Sequence, residues 1–213
     1  MEIIRGIVFI LLWSMYRCIS YRRLKIFVMK SINILFHKIK FTFQRIYRLL
    51  NVKKASRYVW ADLIQYHKSG GWNFGQFDKD KYIHSSFKID DINYIDFRYS
   101  VTYYKLLFQA TVLERFDEER TNDVLVLASH FNGLLTFGVV KVNLKYNFVE
   151  FVYSRDSLTY ALFSGEIETD TDTHFKLTKD IAWSFTNLIE TGDDPVFVFS
   201  ELMRRKEEES KEK

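Results

Sequence analysis

Residues 22–50 restrict the fold of this chain more than any other stretch. The segment RRLKIFVMKSINILFHKIKFTFQRIYRLL combines bulky apolar side chains with Lys and Arg and contains no carboxylate. Its apolar residues from Leu24 to Leu50 recur at spacings of three and four, so a helix would place eight of them within about 100° of one another. Basic residues would occupy the opposite half. The pattern predicts an amphipathic basic helix with one continuous apolar stripe.

The charge of the chain is divided unevenly along its length. All 213 residues together carry a formal net charge of +4. Residues 1–54 hold twelve Lys or Arg against Glu2 alone, whereas residues 55–213 hold nineteen against twenty-six Asp or Glu. A basic, apolar arm joined to an acidic domain indicates attachment of the arm to an anionic surface. The acidic domain itself is disfavoured as a nucleic-acid binder.

The chain begins with MEIIRGIVFILLWSMYRC, in which the uncharged run from Gly6 to Tyr16 is eleven residues long. A helix that spans a bilayer needs about 20 apolar residues, so this run alone is too short. If Arg5 and Arg17 extended to opposite interfaces, residues 3–21 would form a spanning segment. No A-x-A-like site follows, which disfavours a cleaved signal peptide. Spanning and surface-lying segments both stay open, and the basic residues that follow predict a domain on the cytoplasmic side of the inner membrane.

Three partners are compatible with the apolar stripe: the domain's own core, a membrane and nucleic acid. An interfacial helix needs Lys and Arg opposite its apolar face, and anionic headgroups add about 1 kcal/mol per nearby cation. Phosphate neutralisation needs the charge but not the stripe, so nucleic acid is disfavoured. We predict membrane binding, with packing on the domain's own core as the alternative. The predicted insertion residues are Leu24, Val28, Ile32, Leu35, Ile39, Phe43 and Ile46, and the predicted headgroup-binding residues are Arg22, Arg23, Lys30, Arg45 and Arg48.

The remainder of the chain has the composition of a folded domain. Apolar residues make up 47% of the chain and aromatic residues 17%, with a single proline, which argues against disorder. Cys18 is the only cysteine, so an intramolecular disulfide and a thiolate metal cluster are excluded and a reducing compartment is favoured. We predict an arm over residues 1–53, a domain over residues 54–203 and a charged, solvated tail over residues 204–213.

The periodicity within the domain predicts an α+β fold with a mainly antiparallel sheet. A helix that ends at Gly70 and Gly71 comes first, and GGWNFG then reads as a turn. A hairpin of INYIDFRY and TYYKLLFQA follows, then a third extended piece, TVLERF. A helix is expected from Thr121 to a stop at Asn132 and Gly133, and FGVVKVNL and FVEFVYSR predict a second hairpin. YALFSGEIE is expected to extend the sheet, a helix to open at Asp172 or Thr173 and end at Gly192, and a last helix to start at Asp194 and Pro195.

This order of elements resembles the YbjN-like family, which shares the fold of type III secretion chaperones. The resemblance covers about residues 54–192. YIDFRYSVTYYKLLF is similar to the family's opening hairpin, LVLASHFNGLLTFGVVKVNL is similar to its helix that ends in Asn before a strand, and VEFVYSRDSLT resembles the next strand. The resemblance implies a compact α+β module, often dimeric, that binds protein segments or takes part in regulation and has no established enzyme site.

Two groups of polar residues suggest a catalytic or metal-binding role, but neither has the spacing that such a site requires. Ser129 and His130 are adjacent on a predicted helix and point about 100° apart, so they do not form a nucleophile and base with Asp123. Asp170, Asp172 and His174 alternate like a calcium loop, but Gly and Glu are missing at the positions that such a loop requires. We therefore predict no catalytic, cofactor-binding or metal-binding residue, and no cofactor.

The sequence therefore predicts a non-enzymatic, chaperone-like binding or regulatory module that its arm tethers to a membrane. The expected partners are another protein or a second copy of the chain, together with an anionic membrane surface. The client segment would enter an apolar groove between the long helices and the sheet. Two alternatives stay open: a small enzyme whose site is assembled only in three dimensions, and a subunit of a transmembrane assembly.

Overall fold

A computed structural model of the chain describes residue 46 and residues 52–88, 94–163 and 165–211. The chain divides into two units, Met1–Tyr47 and Arg48–Lys213. Ile46 is the described residue of the first unit, where it is helical and 48% exposed. Of the predicted arm over residues 1–53, Val52 and Lys53 begin the first helix of the second unit, and the residues other than these two and Ile46 lie outside the described residues. The fold below is that of the second unit.

The described domain contains five α-helices, one 3₁₀ turn and six strands. In chain order the elements are α1 (Val52–Ser69), β1 (Gly75–Phe77), β2 (Tyr82–Lys88), β3 (Tyr94–Val101), β4 (Lys105–Leu113), the 3₁₀ turn (Glu118–Arg120), α2 (Thr121–Leu134), β5 (Val139–Asn143), β6 (Phe148–Asp156), α3 (Ser157–Leu162), α4 (Gly165–Thr191) and α5 (Pro195–Lys211).

The strands form a single six-stranded sheet in the order β1-β2-β3-β4-β6-β5, and every neighbouring pair is antiparallel. The predicted α+β class with an antiparallel sheet is therefore confirmed. Burial alternates along β3 and β4, as expected for strands with one covered face. Helices α2 and α4 pack on that face. The core side chains of the face are aromatic and aliphatic and include Phe97, Tyr99, Phe108 and Phe151.

Several element ends follow the local sequence as predicted. The N–H of Trp72 donates to the His67 carbonyl and the N–H of Gly71 to the Lys68 carbonyl, which is the Schellman ending of α1. Gly71 has a φ of 68°, a conformation that is costly for residues with a Cβ. The Asp194 carboxylate accepts the N–H of Val196 at 2.8 Å and caps α5, with Pro195 as the first helical residue. Helix α4 ends at Thr191, just before Gly192.

Three local predictions are wrong. Helix α2 continues through Gly133 to Leu134, so Asn132 and Gly133 do not stop it. The described residues of YALFSGEIE add no strand, because residues 160–162 belong to α3 and residues 165–168 to the start of α4. Helix α4 begins at Gly165 rather than at Asp172 or Thr173, and it thus places the alternating acids inside a helix instead of at its cap.

Other segments also differ from the expectation. The turn in GGWNFG leads into a short strand, β1, which pairs with β2 in a hairpin that the sequence did not indicate. TVLERF does not form a separate strand, since its first residues complete β4. Helix α5 extends to Lys211 through most of the expected tail, and Lys206 forms a 2.7 Å ion pair with Asp180 of α4.

The side chain of Asn132 closes part of the outer edge of β5. Its amide nitrogen donates to the Val140 carbonyl at 3.0 Å, and its carbonyl oxygen accepts the Val140 N–H at 2.7 Å. The same strand begins beside Gly138, where a Cβ would lie only 2.6 Å from the Phe151 ring. Asn132 therefore takes the place of a neighbouring strand at one position of an otherwise open edge.

Candidate functional site

The predicted membrane-binding residues lie outside the described residues, except for Ile46. Its helical conformation and exposed side chain leave the membrane prediction untested. Within the described ranges, no helix is long and apolar enough to cross a membrane.

Ser129, His130 and Asp123 are not joined by hydrogen bonds in the part of the chain that the structure describes. Asp123 forms a 3.0 Å ion pair with Arg120, three residues earlier. The His130 ring stacks on Phe199 of α5 with the ring centroids 5.2 Å apart. These residues thus connect α2 to its neighbours instead of converging on one point.

A buried polar cluster joins β6 to α3 and α4. The Tyr160 hydroxyl donates to the Asp170 carboxylate at 2.5 Å, and Arg155 Nε lies 3.3 Å from the same carboxylate. Arg155 Nε also donates to the Tyr153 hydroxyl at 2.8 Å, and its Nη1 donates to Glu166 at 2.7 Å. Asp170 is 3% exposed. Burial raises the pKa of this carboxyl, and the bonds from Tyr160 and Arg155 oppose the shift.

Residues in the next turns of α4 also contact α1 and the sheet. The Tyr66 hydroxyl of α1 donates to the Asp172 carboxylate at 2.6 Å, and burial together with this bond raises the pKa of Tyr66. His174 lies against the sheet, with its ring stacked on Phe151 at 4.9 Å between centroids. The acids and histidine that alternate in the sequence are therefore the polar part of a helix–sheet interface.

The two buried histidines, His67 and His174, flank Tyr99, with ring centroids 5.6 and 5.7 Å from it. His67 Nδ1 lies 2.9 Å from the Leu63 carbonyl, and because a carbonyl can only accept, this nitrogen carries the proton. Burial lowers the pKa of His67 to about 4 and that of His174 to about 3. Both rings are consequently neutral at pH 7.

The polar groups of this region are joined by hydrogen bonds and ion pairs. The hydroxyl protons of Tyr66 and Tyr160 are both donated to carboxylates, and Arg155 is shared among three acceptors. These bonds connect α4 to α1, α3 and β6. No cluster of His, Cys, Asp and Glu that could hold a metal ion occurs among the described residues. The cluster is best interpreted as a polar clamp on α4.

A cleft of about 430 Å³ lies between α4 and the adjoining ends of β3 and β4. Its volume falls within the range of about 300–1,000 Å³ that is usual for ligand sites. The floor includes the buried residues Ile95, Val112 and Ala182, and half-buried Thr186 and Ile189 form the helix side. The rim is polar and exposed, and consists of Tyr94, Glu114, Arg115 and Glu190. This is the place between the long helix and the sheet where the sequence predicts a groove.

A second cleft of about 410 Å³ separates α4 from α5 and is lined mostly by charged side chains. Lys206 crosses it to pair with Asp180, and the Arg205 guanidinium lies 4.3 Å from the centre of the Trp183 ring. These contacts hold α5 against α4 and engage Asp180, Arg205 and Lys206.

Sequence reasoning missed the residues of the first cleft because they are distant in the chain. Residues 111–115 and 182–190 meet only when α4 crosses the sheet. The sequence does contain a signal for the buried face of α4. Its members follow one another at helical spacing and are Ile167, Thr171, His174, Thr178 and Ile181. That spacing predicts a helix that begins before Asp172.

Comparison with known proteins gives no match for this chain to a family model, to a curated protein or to a solved structure.

Proposed function

We propose that this protein is a non-enzymatic, chaperone-like binding module in which the cleft between α4 and the ends of β3 and β4 receives a segment of a client protein. The arm would hold this module at the cytoplasmic face of a membrane. The observation that carries the proposal is the cleft itself, which has an apolar floor and a polar rim at the predicted place.

The composition of the cleft suits one or two apolar anchor side chains of a peptide. Ile95, Val112 and Ala182 exclude water from the floor, while Glu114, Arg115 and Glu190 at the rim can bind the polar groups of a main chain. Strands β3 and β4 are both paired on their two sides. A client would therefore be held by inserted side chains rather than by adding a strand to the sheet at this point.

The proposed kinship with YbjN-like proteins rests on the sequence resemblance and on the shared α+β class. The resemblance predicts an order of helix, three strands, helix, two to three strands and helices, whereas the domain has four strands before α2, of which β1 and β2 were not predicted.

Two tryptophan variants of α4 test the proposal. Thr186→Trp would fill the cleft, whereas Thr169→Trp would place the same side chain on an exposed turn of the same helix. Membranes would be incubated with the full chain and bound proteins captured by cross-linking. We expect Thr186→Trp to lose a specific partner that the wild type and Thr169→Trp both retain. If all three proteins captured the same partners, or if the wild type captured none, the proposal would be contradicted. If Thr186→Trp instead displaced a small molecule, the cleft would be a ligand site.

A further inference from the structure

The hairpin that joins β3 to β4 forms an exposed aromatic tip. Tyr103 and Tyr104 occupy it and are 50% and 68% exposed. The tip is well held, because Thr102 Oγ1 accepts the N–H groups of Tyr104 and Lys105 at 3.3 and 3.0 Å. The carbonyl of Tyr104 also accepts the N–H of Ser157 at 2.8 Å. Two large rings are thus presented to solvent on a fixed loop.

Basic side chains surround this tip. The ammonium groups of Lys53 and Lys81 lie 6.0 and 5.7 Å from the centre of the Tyr103 ring, and Lys81 is anchored by donating to Ser56 Oγ at 3.3 Å. Exposed Lys105 follows Tyr104 directly. The neighbouring turn and the first turns of α1 add exposed Lys79 and Arg57.

Acidic residues at the same end are fewer, and two of them are engaged. Asp78 accepts hydrogen bonds from Trp60 and Gln76, and Asp156 accepts the N–H of Leu158 as the cap of α3. Asp80 is the third carboxylate of this end. The cations therefore outnumber the anions around the tyrosine tip.

The opposite end of the strands carries an acidic run, with Arg115, Arg120 and Lys145 beside it. The turn between β5 and β6 lies there, and its Asn147 carbonyl accepts the N–H of Phe116. The run Asp117, Glu118 and Glu119 follows immediately. The domain thus has a basic end with Tyr103 and Tyr104, beside the start of α1 at Val52 where the 51 preceding residues join, and an acidic end at which Lys145 lies 4.8 Å from the centre of the Tyr146 ring.

We infer that the end of the domain formed by Tyr103, Tyr104, Lys53, Lys81 and Lys105 is a contact surface for anionic lipid headgroups. Tyrosine is enriched at membrane–water interfaces, where its ring reaches the headgroup region while its hydroxyl stays hydrated. Lysines beside it are attracted by the negative surface potential. The inference rests on the proposed membrane attachment and deepens it: this end of the domain faces the membrane, and the acidic end and the client cleft face away.

The test uses the full chain with Cys18 changed to Ser and one new cysteine that carries an environment-sensitive fluorophore. One variant carries Tyr104→Cys and the matched control carries Tyr146→Cys, since Tyr146 is 63% exposed on the turn at the opposite end. Vesicles of phosphatidylcholine with phosphatidylserine, vesicles of phosphatidylcholine alone, and duplex DNA would be added in turn. We expect a blue shift at position 104 with the anionic vesicles and little change at position 146.

A second measurement quantifies the contribution of the charges. The double variant Lys53→Gln and Lys81→Gln is expected to bind anionic vesicles roughly 25-fold more weakly, or about fivefold per charge. Protein that sediments with the vesicles while neither label responds would overturn this inference and leave the tether by the arm intact. A label at position 104 that responds to DNA alone would overturn it as well, whereas failure of the wild type to sediment would remove the proposed attachment itself.

Discussion

His67 and His174 show how single buried groups set the response of this domain to acid. Each ring is enclosed by aromatic neighbours, and both surround the buried Tyr99. Their lowered pKa values mean that the folded protein stays unprotonated at these positions while the unfolded chain takes up protons near pH 6.5. Their stabilising contribution is therefore complete above pH 6.5 and is lost as the pH falls towards about 4 for His67 and about 3 for His174.

We expect the free energy of unfolding to fall by about 2.5 kcal/mol between about pH 7 and about pH 5.5, with each histidine contributing about half. The raised pKa values of Asp170 and Asp180 have the opposite sign, so the histidine contribution is taken from the difference between the wild type and the histidine variants. Urea unfolding of the wild type, His67→Phe, His174→Phe and the double variant at both pH values measures the effect. A double variant that keeps the wild-type difference would refute the assignment.

At the scale of elements, the way its two edges are closed limits the pairing of the sheet with further strands. Strand β1 is an edge of three residues, and β5 forms the other edge. Asn132 of α2 bonds both main-chain groups of Val140 and so covers part of β5. The residue was expected to end its helix, but its side chain instead couples α2 to the sheet and blocks pairing with another chain.

Asn132→Leu is expected to destabilise the domain by about 1–3 kcal/mol, because two hydrogen bonds of about 0.5–1.5 kcal/mol each are lost. The freed edge should also increase self-association. Asn122→Leu is the matched control, since Asn122 is exposed on the first turn of the same helix. Urea unfolding reports the stability, and size-exclusion chromatography with light scattering reports the association. Equal stability and equal association in both variants would show that the Asn132 contact has no such role.

At the scale of the whole molecule, the core of the described domain begins at Val59. The buried cluster runs from Val59 to Leu202 and includes residues of all five helices. Its charge is opposite in sign to that of the arm. The charge distribution predicts that the arm serves attachment, separately from the fold of the domain.

The arm should therefore determine membrane binding without determining the fold. We expect residues 52–213 to be soluble and to unfold in one cooperative transition. In the full chain, changing Val28, Ile32, Leu35 and Ile39 together to Ser should reduce sedimentation with anionic vesicles at both about 0.1 M and about 1 M salt, because apolar insertion survives screening. Two unfolding transitions in the truncated protein, or wild-type sedimentation of the Ser variant, would count against this prediction.

The sequence by itself determined those features of the domain that depend on neighbours along the chain. The alternation in YIDFRYSV, the two glycines after Ser69 and the Asp194–Pro195 pair each specify an element or its end through local backbone geometry and hydrogen bonding. Features that depend on distant partners were decided by the tertiary structure. In the sequence Asp170 and His174 resemble a helix cap or a metal loop, and only the tertiary structure places Tyr160, Arg155 and Phe151 around them. Asn132 resembles a helix stop in the sequence, and only the fold brings its side chain to Val140 at the edge of the sheet. The cleft belongs to the second group, since its two walls meet only when α4 crosses the sheet and buries its apolar face there.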